Sequence, residues 1–370
     1  MSVTKEINDK TRSIEEVLSS FKFDGGVEKY YAYGNGHIND TFKVECENKN
    51  YILQRINTDT FKDPVSLIEN IKLVTQHVQK KNESLGLKDV QTLTLIELNT
   101  GGYLYKDSTG YYWRAYDFVE NTVSYDLVEK PEHFYESAVA FGRFQASLSD
   151  FDPSQLVETI PDFHNTPNRV RLLKEAIELD PQSRLKLVQE EVAFVLEREA
   201  FTSKFTELYE EGTLKKRVTH NDTKLNNVLL NAETGSAVCV IDLDTVMPGF
   251  VLDDFGDSIR FGANTALEDE KDLTKVRFDM NLFDVYIEGF LKGAGDSITD
   301  LEISLFPESA KMMTLECGIR FLTDYLMGDT YFKTQYDEHN LVRCRTQFKL
   351  IKEMEDHWSE MEKITSKYMQ

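Results

Sequence analysis

The stretch Thr219-His220-Asn221-Asp222-Thr223-Lys224-Leu225-Asn226-Asn227-Val228-Leu229-Leu230, followed by Val238-Cys239-Val240-Ile241-Asp242-Leu243-Asp244, constrains this chain more than any other. It sets an Asp two residues after a His, an Asn five residues beyond that Asp, and an acidic pair at the close of an apolar strand. Each residue type meets a demand of phosphoryl transfer, in which the protein supplies position and charge neutralisation and little covalent chemistry. One carboxylate must orient the acceptor hydroxyl and take its proton, while hard oxygen ligands hold Mg²⁺. Asp222 fits the first role. Asn227 and Asp242 fit the second, with Asp244 a further candidate ligand. Read as plain structure, the same residues are a turn with a helix cap and a polar strand end. The three signals in order and at workable spacing favour the chemical reading.

At 370 residues the chain is long enough for two lobes. A net charge of −22 argues against nucleic acid or an anionic membrane surface as partner. A nucleotide triphosphate is also an anion, but Mg²⁺ and a few placed cations neutralise it locally. The expected partner is a small molecule, for which a monomer would suffice. Cys46, Cys239, Cys317 and Cys344 are scattered, with no paired spacing for zinc or redox chemistry. The amino terminus lacks a basic-then-apolar signal, and no apolar run approaches membrane-spanning length, so a cytoplasmic location is expected.

Ile14, Val17, Leu18 and Phe21 fall at helical spacing. Tyr30-Tyr31 and Thr41 to Glu45 read as antiparallel strands joined by the loop Gly34-Asn35-Gly36-His37-Ile38-Asn39-Asp40, and Tyr51 to Ile56 as a third strand. In a kinase-like amino-terminal lobe the first loop covers the phosphates and the third strand carries a cation for them. On that reading Gly34 and Gly36 lie over the nucleotide, and Arg55 is the cation with Glu69 as its partner. An ordinary hairpin, with Arg55 at a solvated edge and Glu69 a surface acid, remains open. Pro64 to Asn82 is a helix whose apolar face is Val65, Ile68, Ile71, Val74 and Val78. Two more strands, Thr92 to Ile96 and Tyr111 to Val119, flank the turn Asn99-Thr100-Gly101-Gly102. The segment Phe118-Val119-Glu120-Asn121-Thr122 then reads as a hinge, with Phe118 and Glu120 as nucleotide-binding positions.

From Pro131 the pattern is helical: Phe134, Ala138, Phe141, Phe144 and Leu148 line one face, and further runs cover Arg169 to Leu179, Leu185 to Leu208, Leu273 to Phe290, Leu305 to Leu326 and Leu341 to Met361. Met247-Pro248-Gly249 reads as a turn. Asp254-Phe255-Gly256 spells the metal-binding triplet of protein kinases but lies twenty-seven residues after Asn227, beyond that turn. Asp242, fifteen residues after Asn227, has the better spacing, and Asp257 is expected to tie back the catalytic loop. The run Arg320 to Phe332 is dense in hydrogen-bonding groups and suits an acceptor pocket over Asp222. The expected fold is α+β and bilobal: a small antiparallel-sheet lobe with one helix over residues 1–119, and a larger, mainly helical lobe over 120–370.

His220, Asp222, Asn227, Ile241 and Asp242 match the His-x-Asp-x-x-x-x-Asn and Ile-Asp pattern of the aminoglycoside phosphotransferase and choline kinase superfamily, which the chain resembles and whose fold is protein-kinase-like. Gly34 to Thr41, Tyr51 to Asn57, Thr219 to Val228, Ile241 to Thr245 and Arg320 to Leu326 look like the N-acetylhexosamine 1-kinases. That resemblance spans nearly the whole chain. It implies ATP and Mg²⁺, and transfer to the anomeric hydroxyl of a sugar substrate, N-acetylglucosamine or N-acetylgalactosamine. It further implies Asp222 as base, Asn227 and Asp242 as metal ligands, and Asp40, Tyr125, Thr245, Arg320, Tyr331 and Trp358 around the sugar. His-Asn-Asp in place of His-Arg-Asp, and a missing phosphate-binding lysine strand, put peptide substrates in doubt. The rival acceptors are choline, homoserine or an aminoglycoside, against which Arg320 speaks where they are cationic. The rival class is a regulatory pseudokinase, against which the presence of Asp222, Asn227 and Asp242 speaks.

Overall fold

A computed structural model describes residues 14–34 and 38–369. Alternation of inward Val44 and Cys46 on β2 (Asp40–Cys46), and of Tyr51 and Leu53 on β3 (Asn50–Ile56), gives each strand one buried face. With β1 (Val27–Ala32), β4 (Tyr105–Lys106) and β5 (Tyr112–Asp117) they form an antiparallel sheet in the order β1-β2-β3-β5-β4. Residues 14–18 are helical, as their spacing indicates.

Strand β5 is buried on both faces along Trp113-Arg114-Ala115-Tyr116, so a guanidinium is carried into the interior. The helix expected after β3 is α1 (Pro64–Leu85), started by the Asp63 carboxylate accepting from the Val65 and Ser66 amides and ended by left-handed Gly86. Its buried face is Leu67, Ile68, Ile71, Val74 and Val78, while Val65, expected on that face, is exposed.

Thr92 to Ile96 is not a strand. Thr94 and Ile96 bond Asp117 and Ala115 at one end of a β5 edge, and β4 pairs with Trp113 and Tyr112 at the other. The turn with Gly101 and Gly102 at positive φ separates the two segments, so both share an edge that either would need whole to form a long strand.

Beyond β6 (Thr122–Val123) the chain is mainly helical: α2 (Pro131–Ser147), α3 (Thr166–Leu179), α4 (Gln189–Leu196), α5 (Lys204–Glu210), α6 (Val251–Gly262), α7 (Met280–Ala294), α8 (Asp300–Ser304), α9 (Phe306–Met327), α10 (His339–Asp356) and α11 (Trp358–Ser366). The expected continuous helices over 185–208 and 341–361 are each broken, the first by a 3-10 turn at Glu199–Ser203 and the second at His357.

Helices α2 and α7 touch backbone to backbone. A Cβ on Gly142 would stand 2.0 Å from the Phe290 carbonyl oxygen, and one on Gly293 would stand 2.2 Å from that of Val139. Phe255 stacks on Phe306 at 3.8 Å, and a Cβ on Gly256 would lie 2.3 Å from the Ser309 carbonyl oxygen. Phe255 and Gly256 of the Asp-Phe-Gly triplet therefore serve the packing of α6 on α9.

Two small sheets carry the loops that matter. β7 (Arg217–Thr219) pairs with β10 (Met247–Gly249), so Met247-Pro248-Gly249 is a strand and not the expected turn. β8 (Val228–Asn231) pairs with β9 (Ala237–Val240) and with β6. Among the described residues no helix is long and apolar enough to cross a membrane.

Candidate active site

The loop between β7 and β8 runs from His220 to Asn227. His220 is buried, with its ring edge-on to Phe141 and Phe144. Its Nε2 donates to the Ile241 carbonyl at 2.9 Å, and its Nδ1 accepts from the Asp222 amide at 3.3 Å. Asn221 sits at φ 65°, a costly left-handed conformation for a non-glycine residue, and its surroundings fix it there. Its amide donates to Asp254 Oδ1 at 2.7 Å, and its Nδ2 to the Thr245 carbonyl at 2.8 Å. Asp254 also accepts from the His220 amide at 2.9 Å and from Gln145 at 2.7 Å, and Asp257 accepts from the Thr223 amide at 3.0 Å. Asp254 and Asp257 of α6 thus brace the loop, the place expected for Asp257.

Asp222 is half-buried at the head of this loop. Lys224 Nζ stands 2.8 Å from its Oδ1, and Asn227 Nδ2 donates to its Oδ2 at 3.2 Å and to its carbonyl at 2.8 Å. Burial works to raise the Asp222 carboxyl, but the Lys224 ammonium, helped by the more distant Arg260, outweighs it and holds the group below its usual range. Asp222 is therefore held as an anion. Lys224 was not singled out from the sequence. The signal was there, since it is the loop's single cation and sits two residues from the acid.

Asp242 follows β9 at φ 61°, and among the described residues its carboxylate has no hydrogen-bond partner. Asp242 is exposed to water on one side, while the surrounding protein crowds its carboxylate on the others. That burial, and then the charges of Asp244 and Asp222, push its carboxyl up to about 7 despite Arg114 and Lys224. Asn227, with its amide nitrogen spent on Asp222, has its Oδ1 left over. Two hard oxygen donors beside converging carboxylates fit Mg²⁺, which keeps several waters and shares substrate phosphates. No group of three or more His, Cys, Asp or Glu side chains suited to enclosing a metal occurs among the described residues.

Asp244, the further candidate ligand, is differently employed. Its Oδ2 accepts from Asn39 at 2.6 Å, and its Oδ1 is ion-paired with Arg114, both partners being nearly inaccessible to water. Arg114 completes its own geometry by donating from Nε and Nη2 to Gln54 at 3.0 and 2.9 Å. The cation at this end of the sheet is thus Arg114 on β5. Arg55 on β3 pairs with Asp40 and stacks over Tyr111 at 4.5 Å near the surface, while Glu69 pairs with Lys72 at 3.1 Å. The sequence signal for Arg114 was a charge in the middle of an aromatic strand, which burial makes intolerable without a partner.

Gly34 takes φ 75°, and Gly36 lies outside the described residues. Phe118 lies under Lys43 at 4.1 Å, and exposed Glu120 accepts from Asn50 at 2.7 Å. Tyr125 stacks on His133 at 3.9 Å, and its neighbour Asp126 accepts from Asn226 at 3.2 Å, which sets this segment against the catalytic loop. Thr245 donates its hydroxyl to the His220 carbonyl at 2.7 Å. Arg320, half-buried on α9, lies 5.4, 5.9 and 5.5 Å from the rings of Phe163, Tyr331 and Phe332. Tyr331 is exposed. Asp40 is exposed at the start of β2, beside Asn39. Trp358 donates to Glu362 at 3.0 Å and lies near Lys311 at 5.6 Å, contacts internal to the carboxy-terminal helices.

Residues 30–285, more than half of the chain, match the phosphotransferase enzyme family known as APH. The chain belongs to that family. Among solved structures this phosphotransferase is similar to a microcompartment-associated aminopropanol kinase, at 15% identity and TM-score 0.62 over 94% of this chain and 98% of the other. It is similar to a spectinomycin phosphotransferase in complex with ADP and spectinomycin, at 14% identity and TM-score 0.54 over 96% and 97% of the two chains. A choline kinase from Cryptosporidium parvum aligns at 13% identity and TM-score 0.55 over 92% and 93%. At such identities the likeness shows the fold, a protein-kinase-like arrangement of a small antiparallel sheet and a larger helical part.

Proposed function

We propose that this phosphotransferase moves the γ-phosphoryl group of ATP to the anomeric hydroxyl of an N-acetylhexosamine. The observation that carries the choice of acceptor is Arg320, ringed by Phe163, Tyr331 and Phe332 on the side of α9 that faces the catalytic loop through Glu316. Three of the acids near this wall are already matched. Glu316 pairs with His164 at 2.8 Å, and Arg260 bonds Asp257 at 2.8 Å and Glu268 at 2.9 Å. A cationic acceptor such as choline or an aminoalcohol would meet a guanidinium here, beside a Glu316 already paired with His164. A neutral amide sugar offers a carbonyl oxygen to the guanidinium and an apolar ring face to the aromatics.

The chemistry follows from the loop. Asp222, kept ionised by Lys224, accepts a hydrogen bond from the sugar hydroxyl and orients its oxygen toward the γ-phosphorus. As the new P–O bond forms, the bond from phosphorus to the β,γ-bridging oxygen breaks, ADP leaves, and the hydroxyl proton passes to Asp222. A hemiacetal hydroxyl is more acidic than an ordinary alcohol, so a base that chiefly orients it suffices. Mg²⁺ held by Asn227 and Asp242 would neutralise phosphate charge.

The test is the initial rate of ADP release with Mg-ATP and single acceptors. Release with N-acetylglucosamine or N-acetylgalactosamine, and little with choline, 1-amino-2-propanol or spectinomycin, is the expected pattern. The reverse pattern would remove the sugar pocket while leaving the catalytic loop in place.

A further inference from the structure

His164 takes no part in the chemistry above, yet it is buried with an acceptor at each ring nitrogen. Nδ1 stands 2.8 Å from Glu316 Oε1 on α9, and Nε2 stands 2.9 Å from the carbonyl oxygen of Asn221. A carboxylate and a carbonyl only accept, and a neutral imidazole has one N–H, so both bonds form only when both nitrogens carry protons. The two side chains are 8% and 1% exposed, and Thr166 satisfies the other Glu316 oxygen at 2.7 Å. The charged groups facing this pair are Glu316 and Arg320 from α9, Arg169 from α3 and Asp253 from α6.

The carbonyl that His164 holds belongs to the left-handed residue immediately before the base. Asp254 fixes the amide of Asn221 and His164 its carbonyl, so the residue that leads into Asp222 is held on both its amino and its carbonyl side. Glu316 lies one helical turn before Arg320, on the same face of α9. We propose that His164, held as an imidazolium, is a positioning residue that couples the acceptor wall on α9 to the aim of Asp222. The coupling rests on the reading of Asp222 as base. It adds a route by which a ligand seated on Arg320, by settling α9, settles the catalytic loop. Burial alone would lower the imidazole's proton affinity, but Glu316 outweighs it and raises the group to about 9. A group raised in this way contributes below its unfolded value, near 6.5, and its contribution is lost as pH climbs through about 9.

The test compares wild type, His164→Gln, and the double variant His164→Gln with Glu316→Gln, using N-acetylglucosamine as acceptor, and water as acceptor in a parallel ATP hydrolysis assay. The single variant leaves Glu316 buried without its counter-charge and is expected to melt earlier, so the double variant, which removes both charges, is the one that decides. It is expected to melt near wild type, to keep its KM for ATP within about twofold, and to lose kcat by ~10–100-fold, because misaiming the base affects only the reacting geometry. The wild-type decline of kcat above pH about 9 is expected to vanish in the double variant. Nitrogen-15 spectra of wild type should show both His164 nitrogens protonated at pH 7.5. Unchanged kcat in a stably folded double variant, or a neutral His164 ring in the spectrum, would overturn the proposal. Failure of the Asp222 reading would look different: Asp222→Asn would then turn over like wild type whatever His164 does.

Discussion

Asp222→Asn should fold, bind ATP as before and lose turnover by ~10³-fold, within the range general-base catalysis supplies. The amide is nearly the same size, and Asn227 can still bond the Asp222 carbonyl at 2.8 Å, so the loop keeps its path. What disappears is the anion that takes the proton, together with the partner of Lys224. Proximity to Asp222 raises the Lys224 ammonium above its usual range, so the variant leaves a cation facing the place where an acceptor oxygen should approach. The loss should therefore fall on kcat, with the KM for ATP little changed, and steady-state ADP release reads both. Near-normal turnover would take the base role from Asp222.

Arg114→Met should cost about 3–5 kcal/mol of stability, the range for breaking a buried ion pair by removing one partner. The guanidinium and the Asp244 carboxylate are 1% and 3% exposed, so water does little to relieve the carboxylate left behind. Asn39 would remain as its donor at 2.6 Å, and Asp242 stands two residues away as a like charge. Replacing Asp244 by Asn in the same chain should restore most of the loss, because the cost lies in the stranded charge more than in the missing contact. Arg55→Met supplies the contrast. Its pair with Asp40 is 32% and 52% exposed, and such surface pairs contribute about 0–1 kcal/mol. Urea unfolding of the three variants separates these outcomes, and an Arg114→Met chain as stable as Arg55→Met would show that Asp244 finds another partner.

These two residues also show what the sequence can and cannot reveal. Asp222, Asn227 and Asp242 were legible because their relation is local: a loop of eight residues and a two-stranded hairpin fix their spacing, whatever the rest of the chain does. The buried faces of α1 and α2 were legible for the same reason, since a 3.6-residue period is a property of the segment itself. Arg114 and Asp244 lie 130 positions apart, and no period links them. Their meeting depends on cross-strand register: Arg114 stands opposite Gln54 and Arg55 opposite Trp113, so one step along β3 decides which side chain lies over Asp244 and which faces outward. Thr92 to Ile96 has strand-like alternation, but whether it forms a strand depends on competition with β4 for one edge of β5, which no window of sequence contains. His164 was invisible too, for it sits in a connecting segment and acquires its role from Glu316 and Asn221, both more than fifty residues away.

The most direct test of the central claim is phosphorus-31 NMR of the reaction of the intact chain with Mg-ATP and N-acetylglucosamine or N-acetylgalactosamine. A new phosphomonoester signal split by the anomeric proton, growing as ADP appears and absent with Asp222→Asn, is the expected result. ATP converted only to ADP and inorganic phosphate, or a phosphate coupled to the C6 protons of the sugar, would contradict it.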